Sequence, residues 1–409
     1  MRRSYFLRLF QNRFGPRGAC LSRRSHAKPD PAGLSAEAQR AKVEAEVRLA
    51  TVLPRNFRSR DARSRGATAG FWKSLSCGLL LAGWMAGVAP LRAEADCFAD
   101  ALDRAAGAPV VAGEGGWLYL PSELRFLSVG EFWGEAALDT GKAMNLTHRD
   151  PLGPIDDFNR QLADLDVNLL LVPVPPKALV YPAPLACTRE ASRVALDRLR
   201  TFYALLRERG VQVLDLTEDY LTPEALAEGR LYCQTDTHWT GLGVQRAARR
   251  IHEWIQMQEF ASNVSGSATW TVTPGERAIS GDLDRMRGTT GSEAVPVHEV
   301  RDAAGLPPPA DMTRPILLLG DSHVLVYSAG ADLHGTGAGL PDHLAALTGG
   351  NIDVLGVRGS GATTSRISLL RRMKSDPAYL KNKKLIIWCF TAREFTEADA
   401  WRFVPLPVL

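Results

Sequence analysis

Residues 315–323 read Pro315-Ile316-Leu317-Leu318-Leu319-Gly320-Asp321-Ser322-His323, an unbroken aliphatic run that ends on a glycine and three polar residues. A short apolar run closed by turn formers is the pattern of a strand buried on both faces, as in a parallel sheet. Two further runs have the same shape: Ile352 to Val357 feeds Arg358-Gly359-Ser360-Gly361, and Leu385 to Phe390 feeds Thr391-Ala392-Arg393-Glu394. A fourth, Val167 to Val174, runs into Pro175-Pro176-Lys177, where the prolines end the strand.

Between these runs the period changes. Pro154 to Leu165 is helical, and Arg189 to Arg209 carries Val194, Leu196, Leu199, Phe202, Leu205 and Leu206 at helical spacing before Gly210. Val211 to Leu216 reads as a strand, Leu242 to Met257 as a helix, and Cys97 to Arg104 as a short lead-in helix. Helix alternating with strand predicts an α/β fold around a central, mostly parallel sheet, whose ligands bind beyond the carboxyl ends of the strands. Residues 259–295 are rich in Ser, Thr and Gly without clear periodicity, and read as an excursion from the sheet that lines the site.

The chain of 409 residues, 45% hydrophobic and 23% charged, is long enough for a sizeable core. Residues 1–95 hold 18 Lys+Arg against 6 Asp+Glu, whereas 96–409 hold 31 against 39, so the net charge of +4 hides an acidic body of −8. Nucleic-acid affinity needs clustered Lys and Arg, which excludes that class of partner. Residues 1–70 read as an Arg-rich leader, expected to be disordered or to reflect a start placed too far upstream; the Arg2-Arg3 pair is followed by no adequate apolar core. Residues 71–95 carry Lys73, an apolar core from Leu75 to Val88 and Ala93-Glu94-Ala95, the layout of a secretory signal peptide or an N-terminal anchor. The body, 96–409, is expected as a single catalytic domain in the periplasm, holding Cys97, Cys187, Cys233 and Cys389. One disulfide is expected there, with its partners open, and the spacings match no zinc pattern.

Serine becomes a nucleophile when a base takes its proton, and the base needs an acid to fix its tautomer. Ser322 follows a strand, with Gly320 relieving crowding and the Ser322 N–H available for an oxyanion hole. Asp236-Thr237-His238-Trp239 supplies the other half: in an extended segment residues i and i+2 share a side, so Asp236 orients an imidazole whose other nitrogen faces serine. A Gly-Asp-Ser or an Asp-x-His alone is commonly just a turn; together, each at the mouth of an element, they make a triad. His323 is a rival base, set aside because neighbouring side chains at such a turn diverge. Helical His252 reads as a packed or solvent-edge residue.

The chain resembles the SGNH-like periplasmic O-acetyltransferases of the alginate acetylation system, the AlgJ/AlgX type. The resemblance rests on GGWLYL at 115–120, PVPPK at 173–177 with Tyr181, DTHW at 236–239, GDSH at 320–323, and the terminal strand with Trp388 and Arg393. It implies a three-layer SGNH hydrolase-like fold, a circularly permuted motif order, and triad roles for Asp236, His238 and Ser322, with no cofactor or metal. It also implies a polysaccharide acceptor and acetyl groups delivered by a membrane-bound O-acyltransferase, the protein itself being a monomer or part of a membrane-associated complex.

The sequence departs from that pattern in lacking an obvious Gly-x-Asn block, which leaves Arg358 as the candidate oxyanion donor against a plain surface arginine. The short stretch after Arg393 leads us to expect no carbohydrate-binding module. Lys177 and Tyr181 are candidates to line the acceptor groove, against a solvated lysine. Trp117, Tyr119, Trp239 and Trp388 are candidate sugar platforms, with at least two expected in the core. The acidic body argues against a polyanionic acceptor. The competing readings are a carbohydrate acetylesterase with the same triad and a non-catalytic polysaccharide-binding scaffold.

Overall fold

The computed structural model describes residues 97–407. The leader and signal or anchor readings lie outside the described residues. Among these residues no helix is long and apolar enough to cross a membrane.

A small antiparallel pair opens the fold, β1 (Val111–Ala112) with β2 (Leu118–Tyr119). The central sheet begins with β3 (Asn168–Val174) and the two-residue β4 (Gln212–Val213). A long ribbon follows, β5 (Thr271–Ile279) paired antiparallel with β6 (Glu293–Arg301). Then come β7 (Ile316–Gly320), β8 (Asp353–Gly356) and β9 (Leu385–Thr391). The central sheet has the order β4-β3-β9-β7-β8 with every pair parallel. The last strand is thus inserted between the first and the third, and all five carboxyl ends meet at one edge.

The three inner strands, β3, β9 and β7, are buried on both faces, and their residues alternate between two cores. Leu317 and Leu319 of β7, Ile386, Trp388 and Phe390 of β9, and Leu169 and Leu171 of β3 face one core. Ile316, Leu318, Leu385, Ile387, Cys389, Leu170, Val172 and Val174 face the other. The period of two is that of the pleat. The Arg189–Glu208 helix contributes Leu196, Leu199 and Phe202 to the first core, and the Gly241–Gln256 helix contributes Val244, Ala247 and Ile251 to the second. Helices on both faces of a parallel sheet give three layers, each buried aliphatic contributing about 1.5–3 kcal/mol.

Of the four cysteines of the body, Cys97 and Cys187 form the disulfide, tying the lead-in helix to the loop before the Arg189–Glu208 helix; Cys233 and Cys389 are buried thiols. Residues 259–295 leave the central sheet as expected but are not irregular: they hold β5 and the start of β6, a separate ribbon that packs on the Gly241–Gln256 helix. Most of β5 is exposed, so no apolar alternation announces it.

Candidate active site

Two chain segments meet at the carboxyl edge. The first is the end of β7, where a Cβ on Gly320 would sit on the Cys389 carbonyl oxygen of β9; only glycine lets the strands close there. Asp321 then locks the turn, its Oδ1 accepting from the His323 N–H at 2.8 Å and its Oδ2 from the Thr391 N–H at 2.9 Å. Burial pushes the Asp321 carboxyl up, but His323, the Thr391 N–H and Arg393 together bring it down to about 2. Ser322 heads the short turn that follows. Among the described residues no acceptor takes the Ser322 N–H.

The second segment is a tight loop from Leu231 to Thr240, closed by the Thr240 N–H donating to the Leu231 carbonyl and the Cys233 N–H to the His238 carbonyl. Its tip is held from two sides. Lys177 Nζ donates to the carbonyls of Gln234 and Asp236, at 2.9 and 3.0 Å, and to that of Leu118 at 2.7 Å. Glu293, at the start of β6, accepts from the N–H groups of Gln234 and Thr235 and from the Thr235 hydroxyl.

Between the segments runs a chain of hydrogen bonds. His238 Nδ1 lies 2.6 Å from Asp236 Oδ1, and His238 Nε2 lies 2.7 Å from Ser322 Oγ. A carboxylate only accepts, so Nδ1 carries the proton and Nε2 is free to receive that of the serine. Asp236 is fully buried, and its Oδ2 takes the Asp282 N–H at 2.8 Å and His334 Nε2 at 2.9 Å. Burial would raise the Asp236 carboxyl, yet His238 and His334 hold it well below the usual carboxylate range. Burial pushes the His238 imidazole down, but the charge and hydrogen bond of Asp236 together with the charges of Asp282 and Asp321 more than offset it, leaving His238 above its ordinary value.

Asp236, His238 and His334 also group as three potential metal ligands. Their facing atoms are 2.6 and 2.9 Å apart. Two ligands of one zinc ion, each about 2.0–2.2 Å from it, stand wider than that. The spacing is that of shared protons.

The other candidates fall elsewhere. Arg358 is exposed and paired with Asp332, which removes it as an oxyanion donor. It is instead Gly361 of that turn that closes on the residue before the nucleophile, an added Cβ lying 3.0 Å from the Asp321 nitrogen. Lys177 is buried and neither solvated nor groove-lining; burial lowers it to about 8 despite the acidic groups around it. Tyr181 is half-buried, its hydroxyl accepting from the Leu231 N–H and its ring 4.5 Å from that of Trp117.

Trp388 is core rather than a sugar platform, its Nε1 donating to the Gly361 carbonyl at 2.8 Å. Tyr119 and Trp239 are equally buried, leaving Trp117 the one partly exposed ring of the four. Arg393 is partly buried beside Asp321 and donates to Thr391 Oγ1. His323 turns away from the serine toward Asp321, its Nδ1 3.2 Å from Oδ1. His334 and Glu293 carry no motif, and Asp282 stands in a Gly281-Asp282-Leu283 turn whose sequence alone assigns it no role.

A family described as an SGNH hydrolase-like domain, acetyltransferase AlgX, matches residues 110–392. A Pseudomonas aeruginosa protein described as "Probable alginate O-acetylase AlgJ" is 28% identical over 175 residues, covering 42% of this chain and 40% of that protein. Its counterpart of the same description from Pseudomonas putida is 37% identical over 116 residues, 28% of this chain and 29% of that protein. The chain thus matches less than half the length of these curated relatives. Among solved structures, the O-acetyltransferase domain of Pseudomonas putida AlgJ has a TM-score of 0.51 at 22% identity, covering 70% of this chain and 92% of that one. Pseudomonas aeruginosa AlgX has the same TM-score at 18% identity, covering 72% of this chain and 64% of that one. With a family match across most of its length and a fold similar to both structures, the chain belongs to the SGNH hydrolase-like acetyltransferase family of the AlgX type.

Proposed function

We propose that the protein is an O-acetyltransferase that acetylates hydroxyls of an exopolysaccharide through an acetyl-serine at Ser322. The observation that carries this reading is the continuous relay from Asp236 through His238 to Ser322 at hydrogen-bond distances. In the first half-reaction Ser322 Oγ attacks the carbonyl carbon of an acetyl ester donor. The Oγ–acyl bond forms, the donor's acyl–oxygen bond breaks, and the serine proton passes through His238 Nε2 to the leaving oxygen. In the second, a sugar hydroxyl attacks the acetyl-serine, gives its proton to Nε2, and the proton returns to Ser322 Oγ as the acetylated sugar leaves. The Ser322 N–H, which no acceptor among the described residues takes, is the donor we assign to the oxyanion of both tetrahedral intermediates.

Family membership supports the transfer reaction, and names among the relatives support a polysaccharide acceptor. The acidic body favours a neutral or weakly charged glycan over a polyanion. A periplasmic setting draws support from the signal-like 71–95 stretch and the Cys97–Cys187 disulfide. Acetyl supply by a membrane-bound O-acyltransferase is part of the same proposal.

Intact mass after exposure to a chromogenic acetyl ester tests the nucleophile. One acetyl adduct is expected, mapping to Ser322 and lost in Ser322→Ala. Adding a neutral oligosaccharide should then yield acetylated sugar; release of free acetate alone would make the protein an esterase.

A further inference from the structure

Asp236 is bridged by two imidazoles. His238 takes Oδ1, and His334, 98 residues further along, reaches Oδ2 at 2.9 Å. Both ring nitrogens face an acceptor-only carboxylate, so each must present an N–H. The His334 backbone is in the left-handed region, φ 65°, in a turn that also holds Gly330, Ala331, Gly335 and Gly337 at positive φ. Such a conformation is strained for a side-chain-bearing residue and persists only where the surroundings enforce it.

The enforcement comes from the β5–β6 ribbon. Arg277 of β5 donates to the His334 carbonyl at 2.7 Å and is held by Glu299 of β6 at 2.6 Å; Arg301 donates to the Thr336 carbonyl and to the same Glu299. The same ribbon supplies Glu293, which ties down the Gln234–Thr235 backbone just ahead of Asp236. One element thus holds both loops that carry the imidazoles.

We infer that His334 is a positioning residue for the Asp236–His238 pair, seated by the β5–β6 ribbon so that its N–H fixes the free oxygen of Asp236 and tempers that carboxylate's pull on His238. The inference rests on the proposed role of the triad. A hydrogen bond donated to Oδ2 spreads the carboxylate charge away from Oδ1, so the imidazolium form of His238 is favoured less than it would be by an unshared carboxylate. The base then stays deprotonated to lower pH.

Other charged and titratable groups facing the pair do not duplicate this. Asp282 Oδ2 stands 3.9 Å from His238 Nδ1, and its N–H shares Oδ2. Lys177 engages the Asp236 carbonyl, not its carboxylate. The His323 ring lies 4.8 Å from that of His238 and is tied to Asp321, with Arg393 behind them. The Tyr327 ring packs 5.8 Å from His334, its hydroxyl bound to the Trp239 carbonyl and facing Cys233.

The test is the pH profile of kcat/KM for acetyl-ester turnover in wild type, His334→Ala and His334→Gln, with melting temperature measured alongside. Glutamine carries an N–H at the reach of Nε2. In His334→Ala the acid limb should move up by roughly 0.5–1 pH unit, the size of one lost hydrogen bond to the carboxylate, with activity on that limb falling about three- to tenfold. His334→Gln should restore the wild-type limb. An unmoved limb in a folded, active Ala variant overturns the inference, as does a Gln variant that is folded but behaves like Ala. If both are folded and inactive, His334 acts by something other than donation and the inference also fails. Ser322→Ala separates the two levels: if it keeps full activity, the triad itself is wrong, whereas an inactive Ser322→Ala beside an unshifted His334→Ala removes only the role of His334.

Discussion

His238 Nε2 stands 2.7 Å from Ser322 Oγ, a contact between residues 84 apart in sequence that exists only because the Leu231–Thr240 loop and the end of β7 share one edge of the sheet. Its other nitrogen is committed to Asp236 Oδ1. This fixes the tautomer in the sense that base catalysis requires. Asp236→Asn should therefore leave the fold intact and lower kcat by about 10⁴-fold, because an amide presents an N–H where His238 needs an acceptor. Single-turnover acetylation followed by mass spectrometry checks it; a loss of less than tenfold would remove Asp236 from the mechanism.

The pH dependence follows from the direction of the shifts. His238 must be neutral to act and lies above its ordinary 6.5, so kcat/KM should rise with pH through a value above 6.5 and fall away below it. Stability runs separately. The raised imidazole contributes stability fully present below about pH 6.5 and lost as pH climbs through its folded value, while the depressed Asp236 contributes stability present above about 3.8 and lost as pH falls through its folded value. Melting temperature against pH should show this window in wild type and a shallower dependence in His238→Ala.

Lys177 is a brace built into the site from below. Its ammonium is buried, and all three protons are taken by backbone carbonyls of β2 and of the catalytic loop. Lys177→Met fills a similar volume but leaves those carbonyls without a donor, at an expected cost of about 2–4 kcal/mol. Lys177→Arg should not rescue, since a planar fork cannot point three protons at carbonyls arranged around a point charge. Chemical denaturation gives the stability, and kcat should fall with it because the Asp236 carbonyl is one of the three.

What the sequence disclosed here is what local chemistry determines. The inner strands β3, β7 and β9 were legible in their apolar runs because burial on both faces leaves a strand no polar face, and the long Arg189–Glu208 helix because its apolar stripe faces one core. The triad was legible because Asp236 and His238 are two residues apart and Ser322 ends a strand. The β5–β6 ribbon was hidden, since most of β5 faces solvent and Pro274-Gly275 interrupt it. His334 was hidden because a lone histidine among glycines has no spacing to read; its meaning lies in Asp236, 98 residues away. Arg358 misled because charge suggested a donor, whereas the constraint at that turn is the close backbone approach that Gly361 permits.

The ribbon's role predicts an effect far from the serine itself. Glu293 is buried, accepts three hydrogen bonds from Gln234 and Thr235, and is neutralised by Arg230 at 3.0 Å. Removing its carboxylate in Glu293→Ala leaves two backbone N–H groups unsatisfied in a half-buried loop, an expected loss of about 2–3 kcal/mol. Glu293→Gln keeps one acceptor and should lose about half as much. By holding the Gln234–Thr235 backbone, Glu293 sets where Asp236 and His238 stand relative to Ser322. Because misplacement by an ångström costs transition-state stabilisation rather than ground-state binding, kcat should drop about 10²-fold while KM for a small acetyl ester moves little. Steady-state kinetics on the folded variant decide it. A change confined to KM would place Glu293 in substrate binding and detach the ribbon from the geometry of the triad.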